Sequence, residues 1–340
     1  MLHDSVTKIA LAVTGIILIA IALCWLLLQP GGDIGNYKNY YINDAAAPHP
    51  GAVKITFLGA ASLLIDDGET QLMVDGFISR KPLWQVATSQ LSTDKAATDA
   101  LLSKLQVNRL QAVFASHSHY DHALDIAYIA QRTGAKLYGS SSTLNIGKGA
   151  GLPSGQMQLY TPDKALQIGQ FSITVMPSRH TPPIAYINDD IGEEITAPLS
   201  QPARVSAYKE GGSYDFLIRH GTISFFIKPD TNFITGKLDK IQADVLFLGT
   251  AMFGKQKPEF QQAFYDETVG KVRPKRVIPI HWDNFFQPLS DHLEAMPQVV
   301  DNLEQGFDFL ISRTKNDNIE FSILQGYQSL IISPTGQPPA

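Results

Sequence analysis

Cysteine is almost missing from this 340-residue chain, where Cys24 stands alone. One thiol excludes an intramolecular disulfide framework and any cysteine-based metal site. A basic surplus is missing too: 27 Lys and Arg face 32 Asp and Glu, for a formal charge of −5. No electrostatic footprint for nucleic acid results, so no nucleic-acid partner is expected. Charged residues make up 17% and apolar ones 44%, an ordinary globular balance with a slight apolar lean. With cysteine gone, His and Asp are left as the metal-holding side chains.

Long apolar runs are scarce as well, with one exception. Ile9–Leu28 carries no charge over twenty residues, which at helical rise spans about 30 Å, the hydrocarbon thickness of a bilayer. A secretory signal has a shorter apolar core of about 7–15 residues. The run is therefore expected to be an uncleaved N-terminal transmembrane helix within an anchor of residues 1–30, contacting the membrane through residues 9–28. Lys8 precedes the run and no Lys or Arg follows before Lys38, which favours the amino terminus inside. That reading gives a single-pass plasma (inner) membrane protein with its domain extracytoplasmic or periplasmic. Residues 31–52, rich in Gly, Pro, Asn and Ala, read as a flexible tether, and residues 53–334 as one globular domain.

The chemistry is concentrated in Ser116-His117-Ser118-His119-Tyr120-Asp121-His122-Ala123-Leu124-Asp125. This stretch follows Ala112-Val113-Phe114-Ala115, a short apolar run that reads as a buried strand. In an extended segment His117 and His119 point the same way, about 7 Å apart. Asp121 and His122 fall where the chain must turn into a helix. Four potential ligands within six residues suit a binuclear site, imidazole accepting Zn²⁺ or Fe²⁺ and carboxylate allowing a second ion alongside.

H-x-H-x-D-H after a buried strand resembles the metallo-β-lactamase superfamily of metallohydrolases. The resemblance implies an α/β fold, the four-layer αββα sandwich, with the site at one edge where strand ends meet. It implies His117, His119 and His180 on one metal, Asp121, His122 and His281 on the other, and Asp230 bridging. His180 follows the alternating stretch Gln170–Met176, Asp230 follows Thr222–Ile227, and His281 ends Lys275–Ile280. Thr231 matches the usual pattern, whereas Pro229 stands where a glycine is usual. Asp75, closing Thr70–Val74, reads as a carboxylate behind the ligands or as a turn residue. Two divalent ions are expected, zinc first, with manganese or iron also compatible with the ligands.

Such a site would direct a metal-bound hydroxide at an ester-type bond, with Asp121 orienting it and accepting its proton. The opening Phe57-Leu58-Gly59-Ala60-Ala61-Ser62 and the ending His281-Trp282 resemble two branches, the ascorbate-lactone hydrolases and the N-acylethanolamine phospholipase D-type phosphodiesterases. A lactone or phosphodiester of a small molecule or lipid is thus the expected substrate, and β-lactam cleavage is not, because antibiotic-cleaving branches lack the bridging aspartate. The alternative is a catalytically silent metal-binding sensor or scaffold of the same fold. Trp84, Asp283 and Asn284 are expected to touch substrate. Thr181–Gly212, with Asp189, Asp190, Glu193, Glu194 and Glu210, reads as a flap over the site.

Overall fold

A computed structural model describes residues 2–44, 49–184 and 190–334. Asp189, one of the five flap acids, lies outside the described residues.

The apolar run near the amino terminus lies in one helix, Leu2–Leu27. Among the described residues, however, no helix is long and apolar enough to cross a membrane. The expected transmembrane helix is corrected accordingly, and with it the membrane contact through residues 9–28 and the single-pass inner-membrane location. Two further features of this helix differ from the expected anchor. The polar positions Asp4, Ser5, Thr7 and Lys8 are wound into the helix instead of preceding it. Its carboxyl end is hydrogen-bonded to the domain, Val299 N donating to Leu27 O at 3.0 Å and Gln298 N to Gln29 O at 2.7 Å. Residues 34–40, within the stretch read as a tether, form a 3₁₀ helix whose Tyr37 is buried and meets Phe307 edge-on at 5.4 Å.

Two seven-stranded sheets make the domain. The first runs, edge to edge, Ser329–Ile332, Val53–Phe57, Leu63–Asp66, Gln71–Val74, Leu110–Phe114, Lys136–Gly139 and Met157–Leu159. The second runs Glu320–Phe321, Arg276–Ile280, Val245–Gly249, Ile223–Lys228, Tyr214–His220, Phe171–Pro177 and Ala165–Ile168. Period-2 alternation sorts the side chains between layers. Leu63, Ile65, Leu72, Val74, Ala112 and Phe114 turn to the inner core shared with Phe171, Ile173, Phe216 and Ile218 of the second sheet. Leu64, Met73 and Val113 turn outward under the helices Lys95–Lys104 and Ile126–Thr133. Phe114 and Phe216 touch across the seam, with centroids 6.0 Å apart. Helices on both outer faces of two facing sheets complete the expected α/β sandwich.

Strand direction places the chemistry. Leu110–Phe114 lies parallel to Gln71–Val74 and Lys136–Gly139, and Val245–Gly249 lies parallel to Ile223–Lys228 and Arg276–Ile280. Parallel strands share one carboxyl edge, the usual location of a ligand crevice. Glycine is required at one point there: a Cβ on Gly249 would sit 1.9 Å from Pro229 O. That close approach lets the segment carrying Asp230 lie against its neighbouring strand.

Asp301 supports the segment behind this edge by accepting Gly254 N at 3.1 Å and Asn302 N at 2.7 Å. Burial pushes its pKa up to about 7. A raised folded-state pKa stabilises fully below the unfolded value of about 3.9, and that stability is lost as pH climbs toward 7. Asp301→Asn keeps the accepting oxygen and removes the charge. The variant is expected to unfold at higher urea than the parent at pH 8 and to match it near pH 4. Equal midpoints at both pH values would contradict the assignment.

Candidate metal centre

The seven implied ligands converge at the shared carboxyl edge. His117, His119, Asp121 and His122 leave Leu110–Phe114 and enter the short helix Tyr120–Ala123. His180 lies three residues past Phe171–Pro177, Asp230 two past Ile223–Lys228, and His281 one past Arg276–Ile280. The ligand atoms of His117, His119 and His180 all lie within 4.8 Å of one another, and so do those of Asp121, His122 and His281. Asp230 lies against the first of these groups, its Oδ2 3.5 Å from His117 Nδ1 and its Oδ1 3.6 Å from His180 Nε2.

The outer hydrogen bonds show which nitrogens are left for a cation. His119 Nε2 donates to Asp190 Oδ1 at 3.0 Å, and His180 Nδ1 donates to Thr181 O at 3.0 Å. That leaves His119 Nδ1 and His180 Nε2 facing each other, lone pair to lone pair, at 3.1 Å. His122 Nδ1 donates to Asp75 Oδ2 at 2.7 Å, which turns His122 Nε2 toward His281 Nε2 at 3.0 Å. Buried His117 Nε2 and Asp230 Oδ2 have no hydrogen-bond partner. Opposed lone pairs and orphaned buried acceptors are unfavourable on their own and fit divalent ions held by imidazole and carboxylate. The residues present therefore fit the implied metals.

Electrostatics agree with that reading. Burial, reinforced by the imidazoles around it, holds His117 well below the usual range, and burial lowers His180. Both are neutral imidazoles at pH 7. Burial opposes charge on His122, yet Asp75 and Asp121 outweigh it and raise its pKa to about 9. Its proton must leave before the nitrogen can hold a cation. Burial likewise opposes charge on Asp121, but His122 and His281 outweigh it and keep the carboxylate ionised.

Positive φ at non-glycine residues marks the same edge: Ala60 at 47°, Asp75 at 53°, Met252 at 58° and His281 at 60°. Left-handed backbone at such residues costs energy and persists where the surroundings over-determine it. His281 is held by donating its N–H to Ala60 O at 2.6 Å. Ala60 N in turn donates to Asp283 Oδ1 at 2.7 Å, and Asp283 Oδ2 takes Arg80 Nη1 at 2.8 Å.

A cavity of about 580 Å³ opens over the ligands. His119, Asp121, His180, Asp230 and His281 lie in its wall with Leu83, Val86, Tyr208, Phe285 and Met296. Of the residues expected to touch substrate, Trp84 is 64% exposed beside the rim residue Leu83. Asp283 is fully buried in its pairing with Arg80, and Asn284 accepts from Phe286 N at 3.1 Å; neither lines the cavity. Arg80 and the orienting role of Asp190 had no local sequence signal. Arg80 meets Asp283 across 203 positions, and Asp190 was one acid among five in a featureless loop. Asp75 had a signal, since it closes a strand adjacent in the sheet to the motif strand.

Asp190→Ala is expected to weaken binding of a divalent ion about 10–100-fold, the usual effect of removing a carboxylate behind a ligating histidine. Competition against a chromogenic chelator reads this directly. Unchanged affinity would make the contact incidental.

The profile of the family described as the Beta-lactamase superfamily domain matches residues 82–282. A metal-dependent hydrolase of the UPF0173 group from Anaeromyxobacter sp. (strain K) is 26% identical over 245 residues, 69% of this chain and 76% of the relative. Another from Carboxydothermus hydrogenoformans is 24% identical over 238 residues, 68% of this chain and 86% of the relative. Among solved structures, the metallo-beta-lactamase fold protein YhfI from Bacillus subtilis superposes with a TM-score of 0.50 at 16% identity, covering 83% of this chain and all of that one. The family match spans more than half of the chain, and together with two facing sheets whose strand ends gather these histidines and aspartates it makes this protein a member of the β-lactamase superfamily with the metallo-β-lactamase fold.

Proposed function

We propose that the protein is a metal-dependent hydrolase of ester-type bonds, acting on a phosphodiester or lactone through a binuclear centre. The observation that carries this reading is the pair of three-residue clusters with Asp230 against the first of them. Relatives named metal-dependent hydrolases support the class. His117, His119 and His180 would hold one ion, and Asp121, His122 and His281 the other. Zinc suits these ligands first, and manganese or iron are compatible. When bound, two such ions supply Lewis acidity and acidify water near neutral pH.

The chain's own residues do the rest. Asp121, ionised and at the cavity wall, accepts a hydrogen bond from the attacking water and aims its lone pair at the carbonyl or phosphoryl centre. A carboxylate this acidic orients water better than it stores a proton. The water oxygen bonds to the electrophile, the ester oxygen departs, and the proton released from water ends on that leaving group. No Ser or Cys nucleophile is called for. The buried histidines keep bulk water from this side of the cavity.

The test is hydrolysis by the full chain, loaded with Zn²⁺ or Mn²⁺, of a phosphodiester, a lactone, a thioester and a β-lactam. Metal-dependent turnover of the phosphodiester or lactone is expected, with none in His119→Ala. Silence on all four with both ions bound would overturn the reading.

A further inference from the structure

The cavity over the ligands is polar where the histidines and aspartates lie and mostly apolar elsewhere, with Thr181, Ser206, Tyr208 and Lys209 as the other polar wall residues. Leu83 and Val86 come from the short helix Leu83–Thr88, and Phe285, Phe286, Met296 and Val300 come from the chain beyond His281. Its volume, about 580 Å³, is in the range that encloses a drug-sized ligand. The rim gives an independent observation. Beyond the first helix and Leu28, which directly follows it, the large apolar side chains exposed among the described residues are Leu83, Trp84, Leu159, Ile191 and Val299. All but Leu159 lie in the cavity wall or next in sequence to a wall residue. Exposed apolar side chains scatter singly on most proteins, and gathering at one mouth marks a binding surface.

From this juxtaposition we infer that the substrate carries a hydrocarbon group on the scissile ester-type unit, and that polyhydroxylated small molecules are poor occupants. The inference rests on the hydrolase reading only for the reacting end. Hydroxyls pressed against Val86, Phe285, Phe286 and Met296 would lose water without gaining partners, whereas methylenes gain by leaving water. Each added methylene is expected to improve binding about fourfold until the wall is filled, which corresponds to ~0.8 kcal/mol at 1.36 kcal/mol per tenfold.

Binding and turnover test this separately. Isothermal titration of the full chain, with and without Zn²⁺, would use butanoate, hexanoate, octanoate and decanoate, with gluconate as the polyhydroxylated control. Affinity should climb about fourfold per methylene, with gluconate no tighter than butanoate. Leu83→Gln and Val300→Thr, both at partly exposed positions, should flatten the climb. A flat series, or gluconate binding above decanoate, would overturn the inference. The same acyl series as nitrophenyl esters then separates the two ideas. Turnover without chain-length dependence would remove the hydrocarbon substrate and leave the hydrolase. A climbing affinity without any turnover would remove the hydrolase and leave a hydrocarbon-binding cavity.

Discussion

Metal-free Asp230→Asn should melt higher than the metal-free parent, although it should lose hydrolysis. Asp230 is 3% exposed, its Oδ2 has no hydrogen-bond partner, and its Oδ1 reaches Thr181 N only at 3.4 Å. The two imidazoles nearest to it, those of His117 and His180, are kept neutral by burial. A buried carboxylate with one oxygen unpartnered costs stability, about 1–3 kcal/mol for an unsatisfied polar group and more when charged. An amide of the same shape relieves that cost, and each kcal/mol is worth roughly 1–2 °C in a chain of this size. With Zn²⁺ present the order should reverse, because only the parent gains the binding energy of both ions. Hydrolysis should fall by more than about 100-fold, beyond the range for residues behind the ligands. Thermal melts in chelator and in zinc check both halves. A metal-free variant that melts below the parent would sink the idea that this carboxylate is kept for the metals.

The largest stability loss is expected from Arg80→Met. Arg80 and Asp283 form an ion pair at 2.8 Å with side chains 1% and 0% exposed. Removing one partner of such a pair strands a buried charge, a loss of about 3–5 kcal/mol. The damage should reach the metals as well, since Asp283 holds Ala60 and Ala60 holds His281. Gly59 belongs to the same arrangement: its φ is +76°, and a Cβ there would lie 2.0 Å from Arg80 Nη2. Adding Asp283→Asn should recover part of the loss, because the amide oxygen can still accept from Ala60 N while no charge is stranded. Urea unfolding of both variants, with zinc stoichiometry in the folded baseline, measures the two effects. A loss below ~1 kcal/mol would put the pair in the class of surface ion pairs.

These two residues also show how far the sequence could be read. The ligand set was legible because each ligand follows a strand whose alternation is local: the apolar run before His117, the alternation before His180, and Val277-Ile278-Pro279-Ile280 before His281. The facing sheets followed from the same strands and from the resemblance. What was not legible was assembled from afar. Asp283 sits two residues past His281 and looked like a substrate contact; only the fold brings Arg80 to it. The cavity wall joins residues near 85, 205, 285 and 300, and no window of sequence contains that list. The first helix was misjudged on composition alone. Composition located an apolar helix, but its amino-terminal turns take in Asp4 and Lys8, and its far end is bonded to the domain.

The order in which strands deliver the ligands bears on how the protein is made. The chain leaves the ribosome amino terminus first, and His117, His119 and His180 are all present once residue 180 has emerged. Asp230 comes fifty residues later, and His281 later still, just past the strand Arg276–Ile280. A nascent or truncated chain can thus own one complete triad while the other lacks its third member. The candidate site is complete only when the late strands dock against the early ones.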